Sequence, residues 1–301
     1  MKCMRRSAIL SMVLFSSSAC LLGQISSVAA DRSGTRPCSL LDPSAKAVSA
    51  ADLFRAYDSQ VHLVRSLHIL GSMSGAISGV AGKPLELAAI IDLVQPDMIR
   101  ITGIVQYQGS RAVELTSDGH QFGLLVPEGG GKVFLAGPID APPNSTNPRE
   151  NLRPRPFIEA LRWEEGKPGA MKADPKMAAG SRVLTIDVAS SEITPSRKVD
   201  VAFDLVRGVV DSLTAYDSAG KRIFQARYSD WRTGMDPSSG VPVECYARHI
   251  VLDELEQNYQ VDLRITDLVL NAAIPKNYFR PSRPRGIPFK RLDMNGGRSV
   301  Q

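Results

Sequence analysis

The sequence is short of the residues that most chemistries need. Histidine occurs four times, at His62, His68, His120 and His249. No His-x-x-x-His or Glu-x-x-His pair sets two ligands on one helix face, so no metal site is expected. There is no Gly-x-Ser-x-Gly. Gly82-Lys83 and Gly131-Lys132 lack the preceding glycine and the following Ser or Thr of a phosphate loop. Asp118 tempts a catalytic reading, but the turn Ser117-Asp118-Gly119 accounts for it. The expectation is a protein that is not an enzyme and carries no cofactor. Four cysteines occur (Cys3, Cys20, Cys38 and Cys245), with no Cys-x-x-Cys. Zinc ribbons and thioredoxin-type chemistry are therefore disfavoured. Beyond the extreme N-terminus, no apolar run reaches the roughly 18 residues of a spanning helix.

A one-signed charge on the body is also missing. The formal charge of +5 over 301 residues resides at the two ends. Lys2, Arg5 and Arg6 belong to the N-terminal segment, and Lys276–Gln301 sets seven basic residues against Asp293. The remainder is net acidic, at about −4. A general nucleic-acid binder is excluded on this distribution.

What is present begins with an export signal over residues 1–30. A basic start precedes the apolar stretch Ala8–Phe15, which resumes at Leu21–Leu22. Val28-Ala29-Ala30 before Asp31 suits a signal peptidase. Ser17-Ser18-Ala19-Cys20 looks like a lipobox that would lipidate Cys20, and both readings stand. Export to an oxidising compartment makes a Cys38–Cys245 disulfide possible.

Residues 31–49, rich in Ser, Pro and Ala, read as a linker. Ser49 is an N-cap candidate, with Asp52 at the third position. Leu53, Phe54, Tyr57, Val61 and Val64 then follow at helical spacing, which predicts a helix over Ala50–Ser66. From Leu67 the period becomes two. About eleven strands recur at near-regular spacing, joined by hairpin-sized turns such as Asp118-Gly119. A Pro- and Asn-rich insertion over about 140–180 interrupts them and carries a short helix, Pro156–Glu164. Residues 281–301 read as a basic, disordered tail.

Alternation of apolar and polar residues suits an antiparallel sheet wetted on one face. So many strands with only two helices imply a mainly β (α+β) fold. The expected form is a strongly curved antiparallel sheet, an incomplete β-barrel, with helices covering the open mouth. The alternation nominates an inner wall of Ile99, Ile101, Leu184, Ile186, Val188, Val199, Val201, Phe203, Phe224, Tyr228, Val261, Leu263 and Ile265. Phe54, Tyr57, Phe157, Ile158 and Leu161 would form the lid. A filled core is the other reading of the same residues.

Four segments, in order, resemble the LolA/LolB-like lipoprotein carrier superfamily. They are Gln95-Pro96-Asp97-Met98-Ile99-Arg100-Ile101, Leu115–Phe122 with its Ser-Asp-Gly turn, Tyr216–Gly220 followed by Arg227–Trp231, and Leu263–Asn271 followed by Ile274-Pro275 and Phe279. The resemblance covers residues 50–280, read as one domain. It implies a periplasmic protein, soluble or anchored to the outer membrane through Cys20, that binds acyl chains of lipids or lipoproteins in an apolar hollow. It implies a role in lipoprotein localisation or outer-membrane biogenesis. In the family's soluble carriers a basic residue before the turn proline latches the lid. Here that slot holds Gln95, which leaves Arg100 as a possible latch. A monomer is expected, touching membrane only through a Cys20 lipid or the basic tail. An envelope-stress sensor and a structural outer-membrane lipoprotein are the alternatives.

Overall fold

The computed structural model describes residues 37–41, 48–77, 85–128, 130–143, 145, 147–173, 180–189, 197–235, 242–292 and 299–300. The export segment, with Cys20 and the Ala30–Asp31 junction, lies outside them.

Helix α1 (Ala50–Leu63) starts at the Ser49 cap. The Ser49 hydroxyl accepts from the Asp52 amide at 3.2 Å, and the Asp52 carboxylate accepts from the Ser49 amide at 3.0 Å. This reciprocal box satisfies two amides that a helix start otherwise leaves unpaired. Six strands follow: β1 (Ser66–Ile77), β2 (Leu85–Val94), β3 (Met98–Val105), β4 (Arg111–Asp118), β5 (Gln121–Glu128) and β6 (Gly131–Pro138). A 3-10 turn at Pro148–Asn151 leads to helix α2 (Pro154–Leu161), whose prolines occupy its first turn. Then come β7 (Lys167–Ala173), β8 (Ser181–Val188), β9 (Arg197–Asp204), β10 (Val209–Tyr216), β11 (Arg222–Met235), β12 (Pro242–Glu254) and β13 (Tyr259–Leu270). Two short strands, β14 (Phe289–Arg291) and β15 (Ser299–Val300), close the chain.

All fifteen strands belong to one sheet, ordered β15-β14-β6-β5-β4-β3-β2-β1-β13-β12-β11-β10-β9-β8-β7. The sheet is two meanders, β1–β6 and β7–β13, joined where β1 pairs antiparallel with β13. At that junction the register shifts beside Gly71, where a Cβ would lie 2.1 Å from the Arg264 carbonyl oxygen. No residue with a side chain fits that approach. The sheet does not close, because β7 and β15 are its free ends.

Its curvature follows from what α2 touches. The helix packs against both β4 and β12, which stand five strands apart in the order. In a flat sheet those strands would be roughly 24 Å apart, and a helix with its side chains spans about 10–12 Å. Only a sheet wrapped around α2 brings both into reach.

The structure departs from the sequence expectations in several places. Among the described residues the strands number fifteen rather than about eleven, because short edge strands carry little period-two signal. The insertion expected over about 140–180 also holds β7, an edge strand that pairs with β8 through a bulge. Helix α1 stops at Leu63, and α2 runs from Pro154 to Leu161 rather than from Pro156 to Glu164. The described part of the N-terminal linker is tied down. Leu40 and Leu41 amides donate to the Gly208 carbonyl, Pro37 bridges to Arg232, and Cys38 is disulfide-bonded to Cys245 with 5.7 Å between Cα atoms. The tail is not a loose extension as far as Leu292. Phe289–Arg291 pairs parallel to β6, and the Lys290 ammonium binds Glu128 at 2.5 Å and Glu150 at 2.7 Å. Counting net charge hid this, because the tail's lysine meets acids more than 130 residues away in sequence.

Candidate functional site

The strand registers assemble the inner face row by row. Leu184, Val201, Leu213, Ala226, Leu252 and Val261 face one another across six strands. Ile186, Val199, Ala215 and Phe224 form a second row. Leu87, Met73, Leu263, Ile250 and Tyr228 cross the junction between the two meanders. Ile101 sits in a row from Leu135 through Leu124 and Leu115 to Ile91 and Ile69. Every wall residue nominated from the alternation is buried, Ile99, Val188, Phe203 and Ile265 included, and all thirteen belong to one core cluster. The physical cause is the two-residue period: once one residue of a strand faces inward, every second one does.

Where α2 packs against it, the space behind this wall is filled rather than hollow. Helix α2 lies in the concavity, with Phe157, Ile158 and Leu161 buried, and Tyr57 of α1 is buried too. Phe54 is only half-buried at the edge of the cluster. Where the two helices meet β11 and β12 lies a cavity of about 10 Å³, lined by Val64, Leu161, Trp163, Tyr228, Trp231 and Tyr246 among others. That is about the room of one water. Phe157, Ile158 and Leu161 are seated inside the space they were expected to cover.

Polar groups hold α2 at its C-terminal end. The Tyr228 hydroxyl donates to the Ala160 carbonyl at 3.0 Å, and the Tyr246 hydroxyl to the Leu161 carbonyl at 2.6 Å. The Tyr57 hydroxyl donates to the Glu164 carbonyl at 2.6 Å, which ties α1 to the same turn. Helix C-termini leave carbonyls without partners, and these phenols supply them. Burial pushes the hydroxyl pKa of all three well up, so they remain donors. Trp163, just beyond α2, stacks on Tyr57 at 5.3 Å between ring centroids and meets Tyr228 edge-on at 5.7 Å.

A charged cluster fixes the outer side of α2. Arg197, at the start of β9, reaches Glu159 of α2 at 2.8 Å and Glu164 at 2.6 Å, while Arg155 binds Glu159 at 2.7 Å. Burial opposes the Arg197 charge, but the two carboxylates outweigh it and hold its pKa high. Burial and the Glu159 charge push the Glu164 carboxyl up. Arg153, just before α2, donates to the carbonyls of Ala141, Pro142, Glu150 and Leu152, and its guanidinium lies 5.0 Å over the Phe122 ring. Desolvation brings its pKa down to about 10.

The latch position also differs from expectation. Arg100 pairs with Glu114 at 2.7 Å and lies 4.5 Å over the Tyr278 ring, so its guanidinium is engaged away from both helices. The turn holds the helices differently. The Gln95 side-chain amide donates to the Val64 carbonyl at the end of α1 at 2.7 Å. Arg162 donates to the Pro96 carbonyl at 2.6 Å and so ties the end of α2 to that turn. A neutral glutamine can latch because its partner is a carbonyl rather than a carboxylate.

The fold brings together a set that linear motifs could not show. Ser229 Oγ lies 2.9 Å from His249 Nδ1, and His249 Nε2 lies 3.1 Å from Asp262. The three stand on the paired strands β11, β12 and β13, with Ser229 directly opposite His249 in the register, so this row reads as cross-strand pairing. Asp118 accepts from the amides of His120 and Gln121 at 3.0 and 2.9 Å, which is turn chemistry. Sequence reading missed Arg153, Glu159, Trp163, Arg197 and Tyr246. Glu159 was the available clue: a carboxylate among apolar helix positions needs a buried cation.

The site is thus the roofed concavity of an open, curved antiparallel sheet. No family model matches the sequence, and no curated protein matches it. Among solved structures, the chain is similar to a LolA superfamily protein from Nitrosomonas europaea, at 12% identity and a TM-score of 0.47, over 78% of this chain and 98% of that one. It is similar to a putative outer membrane lipoprotein-sorting protein domain from Vibrio parahaemolyticus, at 10% identity and a TM-score of 0.46, over 77% and 97%. A DUF1329 family protein from Desulfovibrio piger aligns at 10% identity and a TM-score of 0.40, over 77% and 95%. These likenesses are loose, and the fold is defined by the strand order and registers above.

Proposed function

We propose that this is an exported envelope protein that takes up acyl chains of lipids or lipoproteins between its concave sheet and α2. It would work in the periplasm, free or anchored through Cys20, in lipoprotein localisation or outer-membrane biogenesis, as a binding protein and not as an enzyme. One observation carries the reading: α2 places three apolar side chains, Phe157, Ile158 and Leu161, in the concavity of an apolar sheet, where an acyl chain would otherwise lie.

The energies suit exchange. Burying a large apolar side chain is worth about 1.5–3 kcal/mol, so these three contribute roughly 5–9. The three phenol bonds to α2 and its following turn add about 0.5–1.5 kcal/mol each. A sixteen-carbon acyl chain gains on the order of 12 kcal/mol on leaving water. The two occupants of the concavity are therefore matched within a few kcal/mol. Such a balance lets a ligand displace the helix and lets the helix return.

The filled interior favours one second reading, a structural envelope lipoprotein with no mobile ligand. Titration with a fluorescent sixteen-carbon acyl probe separates the two. Saturable binding is expected, weakened by Leu263→Asn in the wall and altered by Phe157→Ser in the lid. A folded protein that binds no probe would leave the structural reading. Mass spectrometry of the purified protein then reports whether the mature chain starts at acylated Cys20 or at Asp31, and whether a lipid accompanies it.

A further inference from the structure

Beside α2 lies a second cavity, of about 360 Å³, formed with residues of β9–β13 and their connecting turns. Part of its lining is apolar, with Ile223, Phe224 and Pro156. Two of its polar side chains stand out. Tyr259 is only 4% exposed, and its hydroxyl is sealed from water without any hydrogen-bond partner. Arg197, also buried, has an Nε–H in the same condition, although its Nη2 is engaged by Glu159 and Glu164. A buried donor without a partner costs about what a lost hydrogen bond costs, so two around one cavity are anomalous for a finished core. Both residues are pinned by α2: Phe157 stacks on the Tyr259 ring at 6.3 Å, and Glu159 holds Arg197. A shift of α2 would release both from these contacts.

The rest of the lining bears on what can enter. Asp140, Asp217, Glu254 and Glu256 also line this cavity. The arginines do not balance them: with Glu159, the lining sets five carboxylates against Arg153, Arg155 and Arg197, and the last two are paired with Glu159 and Glu164. An anion would meet repulsion here, while a neutral oxygen would meet two unused donors.

We propose that this cavity receives the uncharged ester or amide carbonyl at the head of an acylated ligand, with the Tyr259 hydroxyl and the Arg197 Nε–H as its donors once α2 shifts. The assignment rests on the acyl-binding reading and names its head-group chemistry. The test compares wild type with Tyr259→Phe, using N-phenyl-1-naphthylamine as a carbonyl-free apolar probe, and monolaurin and laurate as competitors. Monolaurin should bind wild type more tightly than laurate. Tyr259→Phe should weaken monolaurin at least fivefold, leave the naphthylamine unchanged, and lose no thermal stability, because the ligand-free hydroxyl bonds to nothing. Equal monolaurin affinity in both proteins, an equal loss for both compounds, or laurate binding as tightly as monolaurin would each overturn the carbonyl assignment while leaving acyl binding intact. Failure of wild type to bind even the naphthylamine would sink both readings.

Discussion

Tyr246→Phe is the most informative perturbation of how α2 is held. It keeps the buried ring and removes one hydroxyl, the donor to the Leu161 carbonyl at 2.6 Å. In the closed form that carbonyl then lies buried without this partner, at a cost of about 1–2 kcal/mol. In the open form water satisfies it, so the cost falls on closure alone. The open population should rise about five- to thirty-fold. If α2 and the ligand compete for one concavity, the apparent dissociation constant of an acyl probe scales inversely with that population. A mutation that removes a hydrogen bond should therefore tighten binding about five- to thirty-fold. Two assays read this together: probe titration, and amide hydrogen exchange of α2, where the Arg162 amide bonded to the Ile158 carbonyl reports helix integrity. Faster exchange with unchanged or weaker probe binding would refute the competition, since the lid would then open without making room for the ligand.

Other expectations follow from contacts elsewhere. The Cys38–Cys245 disulfide closes a separation of 207 residues. A chain-entropy estimate gives about 5 kcal/mol, so the double serine variant should show a much lower urea midpoint, and a change under about 1 kcal/mol would contradict that estimate. Arg197→Met strands Glu164 and leaves Glu159 to Arg155 alone, and a loss of about 3–5 kcal/mol is expected by denaturant titration. The tail strand should be pH-dependent. Burial pushes the Glu150 carboxyl up, but Lys290 and Ser145 outweigh it and hold the pKa below the ordinary 4.5, so its contribution is full above that value and fades as pH falls below it. Bonds to Glu128 and Glu150 raise the Lys290 pKa above the ordinary 10.5, so its contribution is full below that value and fades as pH rises past it. Protection of the β14 amides, corrected for the intrinsic pH dependence of exchange, should thus be greatest between these limits, and Lys290→Met should abolish the acid limb; an acid limb that persists in the variant would show that another group controls it.

Local patterns settled much of this protein before any tertiary contact was known. The two-residue period in Val261, Leu263 and Ile265, and in Leu184, Ile186 and Val188, fixed which side chains face inward, because strand geometry leaves no other choice. The Ser49–Asp52 box fixed where α1 starts, because its bonds span three residues. What lies inside the curve was beyond those patterns. Whether the wall encloses a hollow or a seated helix depends on α2 reaching β4 and β12 at once, and that distance is set by the bend of the whole sheet. The Glu159–Arg197 cluster, the three phenols on the α2 end and the lone Tyr259 hydroxyl join residues from about 40 to more than 100 positions apart, or lack a partner altogether. Hydrogen bonds and ion pairs act over a few ångströms of space, so sequence order, even with Glu159 as a clue, did not say which residues would meet.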